Sequence, residues 1–224
     1  MTLLDRLAGT AQSVLETLKG LVSSSDGAPG VAFTIAVIAL SAKMAKADGV
    51  VTRDEVEAFS RVFSVEPGDE PHVTRVFNMA RQDVAGFDTY ARQIANMYRG
   101  NPGVLEDLMD GLFHIAGADG VLHEAEMAFL RQVGTIFGFS DFEFARIHAS
   151  NTGEATADPY LVLGVTPDAT DTDLKKAYRR AVTENHPDRL VARGVPAEFV
   201  ALANDKLAAI NTAWEQLKQQ RGLS

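Results

Sequence analysis

Apolar side chains return every three or four residues through most of this chain, a spacing that predicts helices rather than strands. Helices are expected near 31–47, 53–64, 71–83, 88–99, 103–117, 123–137 and 140–148. The breaks fall at Pro67-Gly68, Gly86, Gly100 with Pro102-Gly103, and Gly138, where helix-breaking residues belong. The expected fold class is therefore all-α. The most apolar run, Val31 to Ala42, would cover about 18 Å as a helix, short of a hydrocarbon core about 30 Å thick. Lys43 and Lys46 close it, so it reads as a core helix and no transmembrane segment is expected. Leu4, Leu7, Val14, Leu15 and Leu18 trace an amphipathic segment within residues 1–21. It suits packing on the body of the protein, peripheral membrane contact or partner binding, packing being the commonest use of such a stripe. No basic stretch leads into an apolar run and a small-residue cleavage site, so no signal peptide is expected.

Composition divides the chain. The formal net charge is -9, and residues 1–157 carry all of it, with 12 Lys+Arg against 21 Asp+Glu; residues 158–224 hold 9 of each. An acidic N-terminal part argues against a nucleic-acid-binding surface there. The absence of cysteine excludes disulfides, thiol catalysis and cysteine-based zinc sites, and fits a cytoplasmic location. Residues 23–30 (SSSDGAPG) are small and polar, as are Asn151 to Ala157 (NTGEATA), which reads as a linker. The expected organisation is an amphipathic N-terminal segment (1–25), an all-helical domain (26–150), the linker (151–157) and a C-terminal unit (158–224).

Within the second of these is a repeat. Ala47-Asp48-Gly49-Val50-Val51-Thr52-x-x-Glu55 returns 71 residues later as Ala118-Asp119-Gly120-Val121-Leu122-His123-x-x-Glu126. Each copy ends one helix and starts the next, with Gly where a helix C-terminus takes a left-handed residue. Thr52 and Glu55 have capping-box spacing, while His123 and Glu126 keep the Glu half. The pattern resembles the TerB-like (tellurite-resistance-type) domain over about 26–150. That resemblance implies two related helix-turn-helix units in one helical bundle and, for some members, an acidic metal site, whose matching residues here are Asp48, Glu55, Asp119 and Glu126. An EF-hand is excluded by the frame: its first and third ligand positions would be Met44 and Lys46, or Ile115 and Gly117. Capping explains the acids without a metal, although the four would also form a site if they converged across the pseudo-symmetry axis. His72, His114 and His148 lack partners at ligand spacing.

The C-terminal unit opens with Asp158-Pro159-Tyr160-Leu161-Val162-Leu163-Gly164-Val165. Thr170-x-x-Asp173 then starts a helix carrying Leu174, Ala177, Tyr178, Ala181 and Val182 at core spacing. The opposite face stacks Lys175 over Arg179 and Lys176 over Arg180. This helix should stop near Glu184–Asn185, because His186 precedes Pro187. His186-Pro187-Asp188 is thus expected in a turn at the end of a basic helix, followed by Arg189. A last helix, about 196–220, places Leu207, Ile210, Ala213, Trp214 and Leu217 to pack antiparallel on the first.

DPYLVLGV, LKKAYRR, HPD and AAINTAWEQLKQQRG together resemble a J-domain over about 158–224. With the TerB-like part, the whole is similar to the DjlA-like co-chaperones, here as a soluble form in which no segment is long enough to span a membrane. Ala181 stands where many J-domains have Leu, and Trp214 replaces the commoner Tyr. The resemblance implies a co-chaperone, acting in the stress response, that binds a DnaK-type chaperone and stimulates its ATP hydrolysis. His186, Pro187 and Asp188 would couple docking to hydrolysis. Lys175, Lys176, Arg179, Arg180 and Arg189 would meet acidic groups of the partner, and Tyr178 would add contact area. The TerB-like part would serve as a targeting or interaction module for an unknown client; the alternative is an interaction or metal-sensing protein acting mainly through that acidic part. No nucleophile–base set, phosphate loop or zinc motif is visible, so neither catalysis by this chain nor a cofactor is expected.

Overall fold

The computed structural model describes residues 29–48, 86–118, 120–151, 157–193, 195 and 200–223. Every regular element among them is an α-helix: α1 (Pro29–Asp48), α2 (Phe87–Met97), α3 (Pro102–Ala116), α4 (Glu124–Phe137), α5 (Asp141–Asn151), α6 (Pro159–Val162), α7 (Asp171–Glu184), α8 (Pro187–Ala192) and α9 (Val200–Arg221). The all-α expectation holds for these residues. The helices expected at 53–64 and 71–83, and the amphipathic segment 1–21, lie outside them.

α1 begins at Pro29, two residues ahead of the spacing-based start, because proline suits the first turn of a helix. Its positions Ala36 to Met44 are buried without interruption, so that stretch has no solvent side. It lies against α2, α3 and α4. Lys43 is buried there, its Nζ 4.9 Å from the centre of the Tyr90 ring. Tyr90, Ala91 and Ile94 of α2 fall on one face and meet the same core. Between α3 and α4, Gly120 has φ +85°, the left-handed turn that the repeat predicted. α4 then starts at His123, whose backbone N–H donates to the Glu126 carboxylate at 2.9 Å. The Glu half of the capping box is therefore in place.

The C-terminal helices form the expected hairpin. Thr170 caps α7 by accepting from the Asp173 N–H at 3.2 Å, and α7 ends at Glu184 with Asn185 as its cap. Leu174 of α7 meets Ile210, Ala213, Trp214 and Leu217 of α9, and Ala177 of α7 is buried as well. Tyr178 stacks on Trp214 with ring centres 4.8 Å apart and donates to Asn211 at 3.0 Å. Arg221, near the end of α9, reaches Asp171 at the start of α7, so the pair runs antiparallel. The same guanidinium donates to the Tyr160 hydroxyl at 3.0 Å and the Ala169 carbonyl at 2.9 Å, pinning the loop before α7.

The two parts share their cores. Ala149 of α5 is buried with the hairpin, while Leu190, Val195 and Ala203 from the C-terminal side are buried with α1–α5. α6 packs on α5, and α9 packs on both α5 and α3.

Candidate functional site

The site is built at the junction of α7 and α8. His186 follows the end of α7, but where the sequence suggested a turn it is the N-cap of a further short helix, α8. Its Nδ1 accepts the backbone N–H of Asp188 at 3.2 Å, which leaves the ring proton on Nε2. Its carbonyl accepts from Arg189 at 2.9 Å and from Leu190 at 3.2 Å. Pro187 takes the first helical position, where a missing N–H costs nothing and φ is already set. The His186 and Asp188 side chains are 53% and 93% exposed, with Nδ1 and the nearer carboxylate oxygen 3.7 Å apart. The tripeptide is thus fixed in its backbone and open in its side chains.

Beside it, α7 turns its basic face outward. Lys176 is 74% exposed, 3.8 Å from Asp173; Arg179 and Arg180 are exposed and Lys175 is half-buried. Arg189, on α8, is exposed as well. Lys175, Lys176, Arg179 and Arg180 thus lie on α7, which ends two residues before His186, and Arg189 lies on α8 itself. Arg180 also borders a cavity of about 550 Å³ whose other wall includes Phe142, Glu143 and Arg146. Tyr178 is half-buried and committed to Trp214.

Sequence reasoning missed a cluster of buried charge behind this face. Lys206 of α9 is 5% exposed and donates to Glu106 at 2.8 Å and Asp110 at 2.7 Å, both on α3. Arg146 of α5 meets Glu106 with two bonds, at 3.0 and 2.6 Å. Arg193, just after α8, donates to Asp107 at 2.9 Å and to the Glu184 carbonyl at 3.2 Å. Asn151 donates to Asp110 at 2.7 Å. Burial alone would raise the Glu106 pKa, but the Lys206 charge and the Arg146 bonds outweigh it and hold the group well below the usual carboxylate range. Burial would likewise lower Lys206, yet Asp110 and Glu106 keep it above an ordinary ammonium. At Asp107 burial prevails over the attraction of Arg193, and the pKa is pushed up to about 7.

Of the proposed metal ligands, Glu55, Asp119 and the side chain of Asp48 lie outside the described residues. Glu126 is buried, with its carboxylate bonded to the His123 backbone. Among the described residues no three His, Asp or Glu side chains are grouped so as to hold a metal ion, and no helix is long and apolar enough to cross a membrane.

The profile of the family described as Tellurite resistance protein TerB matches residues 34–149, over half of the chain. The chain belongs to the TerB family. The DnaJ domain profile matches residues 158–222, which contain the whole α7–α8 site. Three similar proteins are each named Co-chaperone protein DjlA. That of Photobacterium profundum is 27% identical over 216 residues, covering 85% of this chain and 78% of its own. That of Shewanella oneidensis is 38% identical over 119 residues, covering 47% and 45%. That of Escherichia coli K12 is 27% identical over 205 residues, covering 80% and 76%. No solved structure matches the chain. This TerB-family chain is thus DjlA-like, a TerB region followed by a DnaJ region.

Proposed function

We propose that this protein is a J-domain co-chaperone that docks on a DnaK-type chaperone and stimulates its ATP hydrolysis. The observation that carries this reading is the exposed His186-Pro187-Asp188 cap beside the basic face of α7, within the DnaJ-matched residues. The cations of α7 steer and orient the encounter with an acidic partner surface. His186 and Asp188 then engage the site that couples docking to hydrolysis. Phosphate chemistry stays in the partner; this chain shifts the partner's population by binding its hydrolysis-competent state more tightly. The TerB region is the targeting or interaction module, and the site of action is the cytoplasm.

Docking is tested by titrating the ATP-bound partner with the wild type and with Lys176→Glu/Arg179→Glu. Both residues are exposed, so the double variant should fold while its affinity falls at least tenfold. Wild-type affinity should also weaken as salt rises. Affinity equal in the two proteins and indifferent to salt would overturn the docking model.

A further inference from the structure

We propose that the TerB region is the positioning scaffold of the His-Pro-Asp helix, with Asp107 on α3 as the residue that holds α8 in place through Arg193. The inference rests on the docking role proposed for His186-Pro187-Asp188 and adds a task for the TerB region within it.

α8 is only six residues long, too short to persist on its own helical propensity. Its one buried side chain, Leu190, is not packed in the core of the α7–α9 hairpin. It belongs to the TerB-side core, together with Val195, whose backbone N–H donates to the Leu190 carbonyl at 3.0 Å. Among the described residues, no α8 side chain is buried in the hairpin core. α8 packs along α9 within the C-terminal unit, and Leu190 adds a hold from the core shared with the TerB region.

Arg193 closes the arrangement. Its guanidinium bonds the carbonyl of Glu184, two residues before His186, and the carboxylate of Asp107. One side chain thus ties both ends of the 184–193 segment to each other and to α3. The close approach is made possible by Gly103: a Cβ there would lie 2.7 Å from a terminal guanidinium nitrogen of Arg193 and 3.3 Å from its Cδ. Lys206, bonded to Glu106 and Asp110, holds α9 to the same face of α3. Since His186 and Asp188 stay open to solvent in this docked arrangement, the contact presents the tripeptide rather than covering it.

The test perturbs the TerB side alone, in the full chain, using Asp107→Ala and the milder Asp107→Asn. Amide hydrogen exchange is read for Arg189, Leu190 and Arg193, whose N–H groups bond within the α8 turn, against Leu174 in the hairpin and Leu108 in α3. At pH 8, above the value of about 7 to which burial pushes Asp107, losing the charged partner of Arg193 should speed exchange in α8 about tenfold or more while the two references hold steady. Stimulation of a DnaK-type ATPase should need several-fold more of the variant to reach half-maximum. Lys176→Glu/Arg179→Glu, which lies outside α8, should instead leave α8 exchange unchanged while weakening stimulation. Unchanged α8 exchange in both Asp107 variants would overturn the proposal. If the alanine variant also loosens the references, the asparagine variant decides by the same criterion. A wild type that stimulates no DnaK-type ATPase would sink the docking role but leave the exchange result to judge the scaffold.

Discussion

Replacing Lys206 with methionine removes one ammonium from a buried cluster while keeping most of its apolar stem. The change breaks bonds of 2.8 and 2.7 Å to Glu106 and Asp110, a pair of acids one helical turn apart on α3. Glu106 keeps Arg146 and Asp110 keeps Asn151, so neither acid is stranded. Both nonetheless lose the cation between them, which is itself only 5% exposed. Breaking a buried pair by removing one partner costs about 3–5 kcal/mol, and the retained contacts put the expected loss near the lower end, about 3 kcal/mol. For a chain of this length that corresponds to a Tm drop of roughly 6–12 °C. Equilibrium unfolding in urea measures the loss. A double-mutant cycle with Glu106→Gln isolates the pairwise coupling, expected at about 1.5 kcal/mol or more. A loss below about 1 kcal/mol, the range of solvent-exposed ion pairs, would refute the account of Lys206 as a buried clamp.

Stability should also depend on pH with two opposed limbs. Because the Asp107 pKa is pushed up to about 7 from an ordinary 3.8, the folded chain holds a proton there that the unfolded chain has lost, so stability falls as pH rises through that window. Glu106 is depressed instead; its stabilisation is full above its ordinary 4.5 and fades as pH falls further. Unfolding at a series of pH values should therefore show a maximum in mild acid, and Asp107→Asn should flatten the limb toward pH 7. Thr170→Ala removes the α7 cap and should cost about 1 kcal/mol, with faster amide exchange confined to the first turn of α7. Trp214→Ala takes the stacked partner from Tyr178 and should cost about 3–5 kcal/mol in the same unfolding assay.

The limits of α7 were legible because local chemistry sets them: a hydroxyl with an acid three residues later at one end, an X-Pro pair at the other. The same proline concealed α8. An X-Pro pair signals the end of one helix, yet proline at the first helical position also starts the next, and His186 supplies its cap. The buried cluster left a fainter trace. Lys206 interrupts the stripe formed by Ala203, Leu207 and Ile210, and Glu106, Asp107 and Asp110 interrupt the apolar run of α3. A charge on a buried stripe signals a buried partner, but the partners lie 96 and 100 residues apart in the chain, and no local pattern pairs them. For that reason the shared cores and the ionic seam between the two parts were not legible in the sequence. The acids of the repeat fall mostly outside the described residues, so a metal site there stays an expectation from sequence.

The proposed function turns on the His186-Pro187-Asp188 cap driving a partner's ATP hydrolysis. Its most direct test is single-turnover hydrolysis by a DnaK-type chaperone preloaded with ATP, with and without this protein. Wild type should accelerate hydrolysis at least tenfold, while His186→Gln, altered at a half-exposed side chain and unchanged in overall fold, should leave the basal rate. Equal acceleration by both proteins, or none by the wild type, would contradict the account.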